Sequence, residues 1–392
     1  MIMESLIIQA KSMQTELIAL RRQLHRYPEI GYQEYKTSQF ITDKLKEFGI
    51  KIVPLRGQTG VVGILQGGKK GKVVALRADI DALPIQEETG VDYQSQHPGV
   101  MHACGHDAHT ACLLGAAGLL SQRKEELNGM VKFFFQPAEE LLGGAQSLID
   151  QGALRNPAVD VIFGLHTKPD IPVGKVVLHP GPLMAAVDVI RITVKGKGGH
   201  GAMPHTTHDP IMAAAAIIQG VQTIVSRQVN PLEPAVISFG SIHGGDANNV
   251  IPEQVEIWGT VRTFSPQLRS EMPERLRSLV ASIAAAMNTE ADIMYRCDLP
   301  AVINPANLQA FCRESLEKVF GVDGFASAMP CMGGEDFSIY QQQVPGVYLW
   351  LGTGSSAVGM DLQWHHPQYN IDEAAISYGA AALAQLAVDY LR

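Results

Sequence analysis

The chain has 392 residues, 46% of them hydrophobic and 18% charged, with a formal net charge of −8. That is the composition of an ordinary globular protein, long enough for two domains and too apolar for disorder. The negative balance gives no support to a nucleic-acid or anionic-membrane partner, and no apolar run reaches the ~18–20 residues that a membrane span requires.

In chain order, residues 3–50 predict two amphipathic helices broken near Tyr27-Pro28. Leu17, Leu20 and Leu24, then Phe40, Ile41, Leu45 and Phe48, recur there at helical spacing. Short β-rich apolar runs follow: VVALRADIDALP (73–84), MVKFFFQPAEE (130–140), VDVIFGLHTKP (159–169) and VYLWLGTG (347–354). Helical stretches at 108–120 and 139–151 alternate with them. This alternation predicts an α/β domain with a mostly parallel sheet flanked by helices, and functional groups just beyond the carboxyl ends of its strands. The first three runs end in ionisable residues, and WHHPQY follows the fourth in its next loop.

Residues 185–297 read differently. DVIRITVKG, a long helix, AVISFGSIHGG, EQVEIWGTVRTF, a helix over 266–287 disturbed by Pro273, and EADIMYRC give the order β-α-β-β-α-β. That order is the split ferredoxin-like arrangement. The expected organisation is a domain of residues 1–184 and 298–392, interrupted by an inserted α+β domain over 185–297. Cysteines at 104, 112, 297, 312 and 331 are too scattered for a disulfide framework, and the first residues lack the pattern of a signal peptide. A cytoplasmic location is therefore expected.

MHACGHDAHT is the most concentrated chemistry in the chain. Cys104 and His106 flank Gly105, which lets a tight loop aim both side chains at one point. Thiolate with imidazole suits zinc and neighbouring divalent metals. A capped helix start with solvent-facing histidines is the alternative. The other strand ends contribute Glu139 and Glu140, His166, and His365 with His366 before Pro367. Of two adjacent glutamates, one can ligate a metal while its neighbour serves as general base. A helix N-terminus, which favours acids by ~0.3–1 kcal/mol, explains an exposed pair but not the equivalent placement of His166 and the Cys104 loop. Asp79 and Asp81 lie on one face, where an acid can fix the tautomer of a ligating histidine; turn capping is the alternative for either. Cys104, His106, Glu140, His166 and His365 could hold two ions, bridged by the thiolate or a water. A set so dispersed, with a carboxylate in it, suits catalytic rather than structural metal.

With LRRQLHRYPEIGYQEYKTSQF, ALRADIDALPIQE, MHACGHDAHT, FQPAEE, GLHTKP, KGKGGHGAMPH, NNVIPEQVEIWGTVRTF, MGGEDFS and HHPQYNIDEAA in this order, the chain resembles the N-acyl-L-amino-acid amidohydrolases. This is the group of hippurate hydrolases, aminoacylases, N-acetyldiaminopimelate deacetylases and auxin-conjugate hydrolases. The resemblance implies a metallohydrolase that cleaves the amide bond of N-acetyl-, N-benzoyl- or similar L-amino acids. It implies two divalent ions per subunit (zinc, manganese or cobalt), held by Cys104, His106, Glu140, His166 and His365, with Glu139 as general base. The inserted domain becomes a lid that also dimerises, giving a homodimer or higher homo-oligomer. His200 would enter a partner subunit's site and polarise the scissile carbonyl, while Asn249, Arg262 and Gly334 would meet the substrate's carboxylate end. Asp81 joins the catalytic group; Asp79 and His109 stand behind the ligands. PHTTHDP departs from the commoner apolar version, and His208 is read as facing solvent. Other readings are a carboxypeptidase or dipeptidase with the same chemistry, a metal-independent cysteine amidase using Cys104 with His106 or His109, and a non-catalytic binding protein.

Overall fold

The structure is a computed structural model describing residues 4–355 and 362–392. The chain divides into two units, Met1–Gly181 with Ile303–Met329 and Asp336–Arg392, and Pro182–Val302 with Pro330–Glu335.

The first unit begins with α1 (Leu6–Ser12), α2 (Gln14–Arg26) and α3 (Tyr35–Glu47), three helices where the apolar pattern suggests two. The extra break falls at Met13, whose N–H is shared between the carbonyls of Gln9 and Ala10 in a tightened turn. Next come β1 (Lys51–Val53), β2 (Val61–Gln66), β3 (Lys69–Asp79), α4 (His106–Ser121), β4 (Asn128–Gln136), α5 (Gly144–Asp150), β5 (Val161–Pro172) and β6 (Val176–Val177). Strand β7 (Gly181–Met184) leads out of the unit and β14 (Val302–Asn304) leads back. Helices α8 (Ala306–Phe320) and α9 (Phe337–Gln341), strand β15 (Gly346–Gly354) and helix α10 (Ala375–Tyr390) complete it.

Seven strands form one sheet in the order β1-β2-β4-β3-β5-β15-β6. The four at its centre run parallel and the edges antiparallel. Alternate residues such as Leu76, Phe133, Phe163 and Leu349 enter a core shared with α4 and α10. Their neighbours face the other way, where Phe134 and Tyr348 meet the rings of Tyr340 and Phe337 from α9 at 5.8 and 4.8 Å. A parallel sheet covered on both faces has to be apolar on both, which is why its strands read as unbroken hydrophobic runs. Helix α4 is buried from His106 through Leu120, as expected for a helix without a polar face.

In the second unit β8 (Ala186–Lys195), α6 (Pro210–Thr223), β10 (Ala235–His243), β12 (Gln254–Thr263), α7 (Pro266–Ala286) and β13 (Glu290–Leu299) follow one another. Their sheet has the antiparallel order β10-β12-β8-β13, the ferredoxin-like topology, and α7 runs unbroken through Pro273. Ile192, Ile217, Val221, Ile257, Leu276 and Val280 fill the space between sheet and helices. A short ribbon pairs β9 (Gly199–His200) with β11 (Val250–Ile251).

Candidate metal centre

Gly105 caps α4 with φ 89°, a left-handed conformation that side chains resist. A Cβ there would also run into Thr167 and lie 2.8 Å from the Tyr369 hydroxyl. This turn sets Cys104 and His106 side by side at the mouth of the helix. Cys104 Sγ lies 3.5 Å from His166 Nε2. The Nδ1–H of His106 donates to the Asp81 carbonyl (2.9 Å), and that of His166 donates to the Thr167 carbonyl (2.8 Å). With Nδ1 committed, each Nε2 is turned into the cluster, the usual outer support of a ligating histidine. His166 does not follow its strand, as the sequence suggests, but lies within β5. Pairing with β15 carries that strand onward, with His166 opposite Trp350.

His365 comes from the loop before α10. Its N–H donates to the Ala103 carbonyl (2.8 Å), which ties this loop to the Cys104 segment. Its Nε2 lies 3.3 Å from Glu140 Oε1. Cys104, His106 and His166 have donor atoms within 4.8 Å of one another, as do Cys104, Glu140 and His365, and His106, Glu139 and Glu140. All five expected ligands thus meet in overlapping groups, with Cys104 common to two of them and Glu139 alongside.

Glu139 and Glu140 do not open a helix. Where the pattern suggests one from 139, α5 begins at Gly144, after a turn in which Ala138 and Leu142 have φ 50° and 59°. The helix dipole therefore does not account for this acid pair. Three buried carboxylates hold the segment instead, accepting the N–H groups of Ala138 (Glu34 Oε1, 2.9 Å), Glu140 (Asp81 Oδ2, 3.1 Å) and Ala145 (Asp336 Oδ2, 2.9 Å).

Both nitrogens of His109 are occupied. Nε2 accepts the Thr167 N–H (2.9 Å), so Nδ1 carries the proton and donates to Asp79 Oδ1 (2.6 Å). Asp79 also pairs with Arg77 at 2.7 Å, and the same guanidinium reaches Asp336 at 2.8 Å. Arg77, Asp336 and Thr167 are site residues that the motifs ALRADIDALPIQE, MGGEDFS and GLHTKP contain but do not single out. The signal was a lone arginine inside the buried run VVALRAD.

The second unit carries the remaining candidates. His200, on β9, and Asn249, in the turn just before β11, are exposed, and the Gly201 N–H donates to the Asn249 carbonyl at 2.8 Å. Gly334 lies near Arg262, and a Cβ on it would collide with Val187. Among the described residues the Arg262 side chain has no ion pair or hydrogen bond, and burial lowers its pKa against Asp188 and Asp298. His208 is exposed.

Residues 75–389, from β3 through most of α10, match peptidase family M20/M25/M40. The chain belongs to this family. N-acetyl-L-cysteine deacetylase of Bacillus subtilis is 44% identical over 373 residues, covering 95% of this chain and 88% of the relative. Thermostable carboxypeptidase 1 of Saccharolobus solfataricus is 37% identical over 393 residues, 99% of each chain. The crystal structure of the B. subtilis YXEP protein, a dinuclear metal-binding peptidase of the M20 family, superposes with a TM-score of 0.85 at 40% identity, covering 97% and 99% of the two chains.

The electrostatics of the M20 centre suit cations. Burial pushes the Cys104 thiol well above its usual range, and Glu140, Glu139 and Asp79 push it further. Burial, with His109 beside it, holds His166 well below its ordinary value. For His106, burial is outweighed by Asp79, Asp81 and Glu140, which lift it to about 10. Against their own burial, Asp79 is held low by His106, His109 and Arg77, and Glu140 by His365 and His106. The acids thus keep protons where positive charge is wanted. His106 Nε2 is buried without a hydrogen-bond partner among the described residues, and Glu140 Oε1 has only the 3.3 Å approach of His365 Nε2. Buried polar atoms left so are costly, and divalent cations would satisfy both. The residues present fit such a pair.

Proposed function

We propose that this M20 chain hydrolyses N-acyl-L-amino acids at the amide bond, releasing a carboxylate and a free amino acid. The observation that carries the reading is the convergence of Cys104, His106, Glu140, His166 and His365 beside a second acid, Glu139. When bound, two divalent cations supply Lewis acidity and can bring the pKa of a water toward about 7. Glu139 accepts the proton of the attacking water and returns it to the leaving amine. Asp81 orients His106 through Nδ1 and holds the backbone of Glu140, so one acid fixes two ligands. His109 is a support, because its two nitrogens are spent on Asp79 and Thr167.

We assign recognition of the substrate carboxylate to the guanidinium of Arg262, with Gly334 next to it and Asn249 as a further contact. His200, exposed on its short ribbon, donates to the developing oxyanion in the site of a partner subunit, which makes the working form at least a homodimer. A cytoplasmic location accords with the five cysteines, none in a disulfide.

A cysteine amidase reading conflicts with the protonated Cys104 thiol, since a nucleophilic thiol needs a lowered pKa. Peptide cleavage is the second reading, favoured by the carboxypeptidase relative. Metal-stripped protein, reloaded with zinc, manganese or cobalt and assayed on N-acetyl and N-benzoyl amino acids and on dipeptides, separates the possibilities. Turnover that survives stripping, or is absent from the acyl amino acids with every metal, overturns the proposal.

A further inference from the structure

We infer that Glu34 is a positioning residue for Glu139, acting through the backbone of Ala138. This rests on the reading of Glu139 as general base. Glu34 is fully buried at the start of α3, where its Oε1 accepts the Ala138 N–H at 2.9 Å and its Oε2 accepts the Thr59 hydroxyl. Ala138 is itself fully buried and lies immediately before Glu139 with φ 50°, a conformation unfavourable to alanine.

The surroundings press the two segments together. The Glu29 carbonyl accepts the Ala82 N–H at 2.8 Å, so the chain leading to Glu34 is fastened just beyond Asp81. A Cβ on Gly31 would lie 3.1 Å from the Ala138 Cα. The turn then closes through the Ala138 carbonyl, which accepts the Gly144 N–H at 3.3 Å.

The three carboxylates holding this turn differ in what else they do. Asp81 also meets His106, and Asp336 also pairs with Arg77. Among the described residues, Glu34 has no cation or imidazole partner. Burial raises its pKa against the bonds from Thr59 and Ala138. A buried carboxylate without a counter-charge is costly. What this one does is accept the N–H that would otherwise be buried unsatisfied at the residue preceding the base. Without the acceptor, Ala138 relaxes toward right-handed backbone and Glu139 swings away from its working direction. Glu140 keeps its own anchor on Asp81, so the ligands stay in place.

The test compares metal-reconstituted wild type with Glu34→Met, Glu34→Gln and Glu139→Gln. Glu34→Met should lose roughly 30–100-fold in kcat with KM within about threefold, because a displaced reacting group costs rate rather than binding. Its metal content should be unchanged, and peptides spanning 130–146 should exchange deuterium faster. Glu34→Gln, whose amide oxygen can still accept the Ala138 N–H and whose NH2 can face Thr59, should return kcat to within about fivefold of wild type. Wild-type kcat in Glu34→Met, equal losses in the Met and Gln variants, or loss of metal in either overturns the inference. Should Glu34→Met not fold, Thr59→Val frees the carboxylate's other oxygen at constant volume. It should cost about 3–10-fold in kcat at unchanged KM, and no effect overturns the inference. Turnover retained in Glu139→Gln removes the base reading itself. A dead Glu139→Gln with an unimpaired Glu34→Met removes the positioning role alone.

Discussion

Cys104 Sγ and His166 Nε2 lie 3.5 Å apart, one at the mouth of α4 and the other inside the parallel strand β5. A single sulfur there serves two groups of donors. Replacing Cys104 with Ser should drop metal stoichiometry below two per chain and weaken binding by roughly 100-fold or more, read by elemental analysis and competitive chelation.

Because burial and the nearby acids keep the Cys104 thiol protonated near neutral pH, cation binding must displace a proton. Titrating metal into weakly buffered, metal-free protein should release protons, and affinity should rise with pH between about 6 and 8. Binding that is independent of pH in this window would mean that the thiolate is not a ligand.

Glu139→Gln should keep both metals while kcat falls by about 10²–10⁴-fold. Metal analysis alongside steady-state kinetics checks this.

Arg21 is 1% exposed and links α2 to Asp107 on α4 (2.9 Å), to Asn370 (2.8 Å) and to Glu373 (3.1 Å). Removing one partner of such a buried pair leaves an uncompensated charge, so Arg21→Met should destabilise the fold by about 3–5 kcal/mol in denaturant titration.

His25 sits between Asp107 (2.8 Å) and Glu87 (3.1 Å), and against its burial these acids raise its pKa. A raised imidazole contributes its full stabilisation below the unfolded value of about 6.5 and loses it as pH climbs through the folded value. The stability gap between wild type and His25→Gln should therefore shrink from pH 6 to pH 9. A gap that widens contradicts the pairing.

If His200 completes a neighbour's site, His200→Ala and Glu139→Gln protein, each inactive alone, should recover activity when mixed and reassorted. Random pairing at equal amounts gives about a quarter of wild-type activity, from the one intact site in each mixed dimer. No recovery in verified mixed dimers argues against a shared site.

Much of the centre was legible because a buried parallel sheet leaves its chemistry at strand ends, where Asp79, Glu139 and Glu140 interrupt apolar runs. His365 was legible through its motif and the family resemblance. The turn after β4 was not. Ala138 and Leu142 take left-handed backbone although neither is a glycine, and the helical pattern of 139–151 begins beside the first and runs across the second. Nor could spacing reveal that Glu34 bonds to a backbone N–H 104 positions away. The break at Met13 likewise falls within an apolar repeat that continues through it.

The tie between the His365 N–H and the Ala103 carbonyl has a consequence for biosynthesis. Four of the five proposed donors have been synthesised by residue 166, but the fifth waits until the whole ferredoxin-like insertion has been translated. An incomplete nascent chain can gather only part of the donor set, so full metal loading comes late and reports a polypeptide synthesised past residue 365.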